Sequence, residues 1–118
     1  MTPIQTPDNV HLTVTLTGRR PVRIQKDHWP VIARARRARG EVADQTLCHL
    51  VVRQHQDGRT LVYGVSESAA EEQNRRAGYL LEAGADLCKA IWDVSGDLGF
   101  DPEMAQACIA SLPAEDLE

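Results

Sequence analysis

The sequence has no apolar run of the length that crosses a membrane. No stretch approaches the roughly 20 apolar residues that a membrane-spanning helix needs. Residues 1–8 also lack the basic and apolar segments of a signal peptide. We therefore expect a cytoplasmic protein that makes no contact with membranes.

The motifs of metal binding and nucleophilic catalysis are absent as well. The chain has three cysteines, Cys48, Cys88 and Cys108, and no two of them have metal-type spacing. Their apolar settings predict reduced core thiols. No H-x-H, H-E-x-x-H, C-x-x-C or G-x-S-x-G pattern occurs. We therefore predict no enzymatic activity, no metal site and no cofactor.

Charge is distributed unevenly along the 118 residues, a length that suits one domain. Residues 1–62 hold ten Arg or Lys and five Asp or Glu, a balance of +5. Residues 63–118 hold three and twelve, a balance of −9, which gives the net charge of −4. The split predicts a basic surface for an anionic partner or two faces that attract each other, unless both halves serve only solubility.

The N-terminal part predicts a β-hairpin followed by a helix. Residues 10–16 alternate apolar and polar side chains, and a short strand at 22–24 follows the turn. For residues 28–39 we predict a helix, with Asp27 as N-cap, Pro30 in the first turn and Gly40 as the stop. Trp29 takes the place of a core anchor, and four arginines crowd the last two turns of that helix.

A second hairpin is predicted at the centre of the chain. Asp57-Gly58 separates two β-rich runs and is a strong signal for a two-residue turn. That turn would place Val52 opposite Tyr63. The predicted core face consists of Leu50, Val52, Leu61, Tyr63 and Val65.

The C-terminal half predicts helices and one long loop. Residues 66–78 are polar and predict an exposed loop, and the apolar pattern of residues 79–95 predicts an amphipathic helix. Asp101-Pro102-Glu103 starts a last helix, which Pro113 ends. The order β-β-α-β-β-α-α predicts an α+β fold in which two hairpins form a mostly antiparallel four-stranded sheet covered by helices. We expect residues 1–118 to form a single domain with frayed ends at 1–8 and 114–118.

The leading functional hypothesis is a regulatory or accessory protein that binds a protein partner or associates with itself. The alternative is a nucleic-acid binder that tracks phosphates with the basic segment 19–39. The candidate contact residues for either role are Arg19, Arg20, Arg23, Arg34, Arg36, Arg37, Arg39, Arg53 and His55.

Three parts of the sequence carry a resemblance to a known group of proteins. They are residues 16–24 with 27–33, the hairpin residues 57–64, and residues 108–117. Together they resemble small uncharacterised proteins encoded on proteobacterial mobile elements such as plasmids, integrative elements and phages. The resemblance implies no particular activity or site, and it favours partner binding over enzymology.

Overall fold

A computed structural model describes residues 9–40, 45–68 and 74–114 of the chain. The fold is α+β, as the sequence predicts. Its elements are β1 (His11–Val14), β2 (Val22–Gln25), a short 3-10 turn (Lys26–His28), β3 (Val31–Arg39), β4 (Thr46–Gln54), β5 (Thr60–Ser68), β6 (Arg75–Leu81), α1 (Leu87–Asp97) and α2 (Pro102–Ala110).

The strands form two separate sheets. Strands β1 and β2 pair with each other, while β3, β4, β5 and β6 form an antiparallel sheet in chain order. The four-stranded antiparallel sheet is therefore confirmed, but the prediction that the two hairpins join to make it is wrong. Strands β3 and β6 supply the two edges instead.

Strand β3 replaces the helix predicted at residues 28–39. Its side chains alternate, with Ala33 and Ala35 buried and Arg34 and Arg36 exposed. Ala and Arg favour helices locally, but that preference is small compared with the pairing of eight of the strand's nine residues to β4. The four arginines are consequently distributed over the two faces of a strand.

The turn of the central hairpin is one residue longer than predicted. His55 N–H donates to the carbonyl of Arg59 and Gly58 N–H to that of His55, both at 2.9 Å. Gly58 has φ +95°, as this three-residue turn requires. Val52 therefore lies opposite Val62 rather than Tyr63. The shift sends Leu61, Tyr63 and Val65 to the face opposite Leu50 and Val52, so the predicted core face is wrong for β5.

The predicted loop at 66–78 and the helix start at residue 79 are also corrected. Residues 66–68 lie in β5 and residues 75–81 in β6. Helix α1 begins at Leu87, where the side chain of Asp86 accepts a hydrogen bond from the N–H of Lys89. Helix α2 begins at Pro102 as predicted. Residues 1–8, 69–73 and 115–118, which bear on the predicted frayed ends and loop, lie outside the described residues.

The elements stack in three layers with a core in each gap. The core between the four-stranded sheet and the helices includes Leu50, Val52, Val62, Ile91 and Val94. A second core lies between the sheet and the β1–β2 hairpin, and it contains Val14, Leu16, Ile24, Trp29 and Leu61. We call the sheet surface on the hairpin side the outer face.

Trp29 and Gly78 fix the hairpin on the outer face. Trp29, the predicted core anchor, is 8% exposed. Gly78 of β6 lies so close to the hairpin that a Cβ there would be 2.6 Å from the carbonyl oxygen of Thr15. Thr17 N–H donates to the carbonyl of Gly78 at 2.8 Å, which joins the end of the hairpin to β6. Neither described helix has the length and apolar character needed to cross a bilayer.

Candidate functional site

The β1–β2 hairpin packs on the outer face against Leu61, Leu80 and Gly78, and it leaves side chains of β3, β4 and β5 open beside it. The open part is a shallow depression of about 340 Å³. We call it the basic face, and it is lined by Arg34, Arg36, His49, Val51, Tyr63 and Val65.

Strand register assembles the basic face from two rows of side chains. Arg34 lies opposite Val51, which lies opposite Tyr63, while the next row holds Arg36, His49 and Val65. Val51 is buried, His49, Tyr63 and Val65 are half-buried, and both arginines are exposed. Two cations therefore border a patch of apolar and aromatic surface.

Arg34 and Arg36 have no acidic partner among the described residues. Because both lie on the edge strand β3, they reach solvent on one side of the depression. Their separation by two positions places them about 7 Å apart along the strand. The arrangement suits two carboxylates or phosphates on an extended or flat ligand.

Arg37 and Arg39 point to the opposite face and are engaged there. Arg37 lies 3.1 Å from both Asp101 and Glu103, and Arg39 lies 3.9 Å from Asp101. These pairs are exposed, so each contributes at most about 1 kcal/mol. They tie β3 to the start of α2, and they place these two arginines on the helix side of the sheet, away from Arg34 and Arg36.

Arg53 and His55 are held by neighbours around Trp29. Arg53 donates to the Tyr63 hydroxyl at 2.9 Å and to the Trp29 carbonyl at 3.0 Å. The His55 ring lies 5.0 Å from that of Trp29. The structure therefore gives Arg53 a bracing role at the end of the basic face and places His55 beside the indole.

The hairpin turn contains a locally stabilised carboxylate. Asp57 accepts a hydrogen bond from the backbone N–H of Arg59, and this bond lowers the pKa of the Asp57 carboxyl. Its side chain also pairs with the Arg59 side chain at 2.8 Å. The Asp57 carboxylate thus stabilises the turn, and this structural role is enough to explain its position.

Arg19, Arg20 and Arg23 lie apart from the basic face. Arg19 and Arg20 are exposed in the β1–β2 turn, and Thr17 before that turn pairs with Gly78 of β6. Strand β6 is the edge opposite β3, three strand spacings or roughly 14 Å away. Arg23 lines a separate depression with Trp29 and other hairpin residues. The nine candidate residues therefore do not form one cluster.

A further depression lies at the turn end of the sheet and measures about 590 Å³. His28 and His55 meet there edge to face, with ring centroids 6.4 Å apart. Across residues 9–40, 45–68 and 74–114, no three His, Cys, Asp or Glu side chains are grouped to hold a metal ion. Asp27 also lines the depression, but within those ranges its carboxylate is not grouped with the two imidazole rings as a metal site.

The cysteines are free, and two of them are shielded. Cys48 and Cys108 are buried and Cys88 is exposed. Burial raises the pKa of the Cys108 thiol to about 11. A thiol with a raised pKa is a poor nucleophile at neutral pH, so Cys108 serves the core.

The apolar half of the basic face does not emerge from the sequence prediction. The two-residue turn assigns Tyr63 and Val65 to the core face instead. The signal that could have found the face is the two-residue alternation of Ala33, Arg34, Ala35 and Arg36, which is typical of a half-buried strand. Comparison with family models, curated proteins and solved structures finds no match to this chain.

Proposed function

We propose that this chain is a non-enzymatic accessory protein of the cytoplasm that binds an acidic protein partner through its basic face. The observation that supports the proposal is the pair Arg34 and Arg36, exposed and without acidic partners among the described residues, beside apolar and aromatic surface. The resemblance to proteins of mobile elements favours the same class of function.

The composition of the face suits protein recognition. Interface cores are enriched in Arg and Tyr, and such residues often contribute most of the binding free energy. Tyr63 is braced by Arg53, so its ring does not have to be ordered on binding. The rest of the chain is acidic overall, and a partner with a negative patch would be steered to this face by its local charge.

The nucleic-acid alternative has less support from the geometry. Binding to phosphates strengthens with the number of cations that contact them. Arg37 and Arg39 are engaged by Asp101 and Glu103, and Arg19 and Arg20 lie towards the other edge of the sheet. The two arginines of the basic face suit carboxylates of a protein better than a long phosphate track.

A pull-down tests the proposal directly. The tagged protein is incubated with a proteobacterial lysate, with and without nuclease, and every retained protein is identified by mass spectrometry. We expect a retained protein that resists nuclease and is lost with the double variant Arg34→Ala, Arg36→Ala. The matched control is Arg19→Ala with Arg20→Ala, which removes the same charge from the β1–β2 turn and should keep the partner.

Two results would contradict the proposal. Equal retention by both double variants would show that the basic face is not the contact surface. Loss of all retained material on nuclease treatment would favour nucleic acid, and binding to a labelled oligonucleotide that weakens steeply with salt would then identify that function.

A further inference from the structure

We propose that the edge of β3 from Arg36 to Arg39 binds an extended acidic segment of a partner protein by adding it to the sheet as a fifth strand. This inference rests on the proposed function and specifies how the partner is held. It requires an edge with unpaired backbone groups, space beside that edge, and side chains that select an acidic strand.

The backbone at this edge is oriented towards the outside of the sheet. The backbone N–H of Arg34 donates to the Ser111 hydroxyl at 3.0 Å, so this N–H points away from β4. The pairing of β3 with β4 is regular from Ala33 to Arg39, so the N–H and C=O groups of Arg36 and Ala38 face the same way as those of Arg34. Described residues supply no partner for these four groups.

Ser111 marks where the open edge begins. Its hydroxyl, at the end of α2, satisfies the backbone of Arg34 and so blocks strand addition at that residue. Beyond it, β3 and α2 border a groove of about 340 Å³. The groove is lined by Ala35, Arg36, Arg37, Glu103, Met104 and Ala107.

The groove selects a strand with alternating side chains. Residues of an added strand that face the outer side would lie beside Arg36 and next to Arg34, where carboxylates are favoured. The intervening residues would face Met104 and Ala107, where small or branched apolar side chains fit. Glu103 on the groove wall is already paired with Arg37, so its carboxylate does not repel an acidic strand at full strength.

A second copy of this chain is a poor occupant. Pairing β3 with β3 of another copy would place the arginines of one edge against those of the other, and like charges opposite each other destabilise a sheet. Charge complementarity therefore favours a different, acidic strand over self-association at this edge.

The test uses a synthetic acetylated and amidated peptide, Glu-Val-Glu-Val-Glu, titrated into the ¹⁵N-labelled protein. We expect the amide signals of Arg36 and Ala38 to shift together. In antiparallel addition, the residues opposite Arg36 and Ala38 share their face and direct their own N–H groups at β3. A peptide N-methylated at the glutamates therefore keeps its charge but loses the N–H groups that pair, so its affinity should fall at least about tenfold. The matched peptide N-methylated at the valines should bind as the parent does.

A protein variant tests the same contact from the other side. Ala38→Pro removes only an outward N–H and leaves the ladder to β4 intact, as proline allows at an edge. It should lose the peptide while its remaining amide spectrum stays native. If this variant does not fold, the pair of N-methylated peptides still tests strand addition on the wild-type protein.

The outcomes distinguish strand addition from the proposed binding of a protein partner through the basic face. Equal binding of both N-methylated peptides, or no binding of any of them at millimolar concentration, would overturn strand addition. Retention of the natural partner by Ala38→Pro together with its loss from Arg34→Ala, Arg36→Ala would also overturn it, yet leave the binding function standing. Retention of the natural partner by the variant Arg34→Ala, Arg36→Ala would contradict both strand addition and the proposed binding function.

Discussion

The two tryptophans of this chain occupy opposite environments. Trp29 is 8% exposed and lies in the core beneath the β1–β2 hairpin, whereas Trp92 on α1 is 42% exposed. The indole of Trp29 also supports its surroundings, because it contacts the His55 ring and lies under the Arg59 guanidinium at 5.3 Å. One residue thus links the outer layer to the turn of the central hairpin.

Replacing Trp29 should therefore weaken the fold far more than replacing Trp92. We expect Trp29→Ala to lower the free energy of unfolding by about 3–5 kcal/mol, since it leaves a large cavity. Trp92→Ala should change it by no more than about 0.5 kcal/mol. Urea unfolding followed by circular dichroism compares them, and similar costs for both variants would refute the assignment of Trp29 to the core.

Along the edge strand β3, the backbone amides differ from one residue to the next in whether a hydrogen bond protects them from solvent. The backbone of Arg34 is bound to Ser111, and Ala35 faces β4. The backbone N–H and C=O groups of Arg36 and Ala38 lie beyond the bond to Ser111 and point away from β4. Single amides along the same strand should consequently exchange with solvent at very different rates.

Hydrogen exchange read residue by residue checks this pattern. We expect the amides of Arg36 and Ala38 to exchange fast and those of Ala35 and Arg37 to be protected. Ser111→Ala should accelerate Arg34 alone and cost about 0.5–1.5 kcal/mol, the usual contribution of a hydrogen bond. The amide of Ala35 in the same sample is the internal control, and slow exchange at Arg36 would show that this edge is not open.

Elements with local signals are predictable from the sequence, and those set by distant pairing are not. Helix α2 follows from Asp101-Pro102-Glu103, and β1 from strict alternation. Strand β3 is composed largely of Ala and Arg, which favour a helix, and only its pairing with β4 makes it a strand. Part of the basic face escapes prediction for a related reason, because a turn longer by one residue decides which face Tyr63 occupies.

At the scale of the whole molecule, stability should depend on alkaline pH through a buried thiol. The pKa of Cys108 is raised by burial from 9.0 to about 11 in the folded chain. Between these values the folded state keeps a proton that the unfolded state loses. Stability is therefore fully present below pH 9 and declines as pH rises towards 11.

Urea midpoints measured from about pH 8 to 10.5 test this dependence. The contribution of Cys108 to the slope should be at most about 1.4 kcal/mol per pH unit. Cys108→Ala should start from lower stability and lack that contribution, whereas Cys88→Ala, at an exposed site, should retain it. Identical slopes for Cys108→Ala and the unchanged protein would contradict a shielded thiol.

The bond between Thr17 and Gly78 also joins two parts of the chain that are synthesised far apart in time. The first hairpin is synthesised early but gains its place on the sheet only when β6 has emerged, 61 residues later. The helices that cover the other side of the sheet end about 30 residues further on, and the ribosome needs roughly 2–6 s to synthesise that length. During that interval Leu50, Val52 and Val62 face solvent on a growing chain, and a chaperone that shields this side would protect the nascent protein from aggregation.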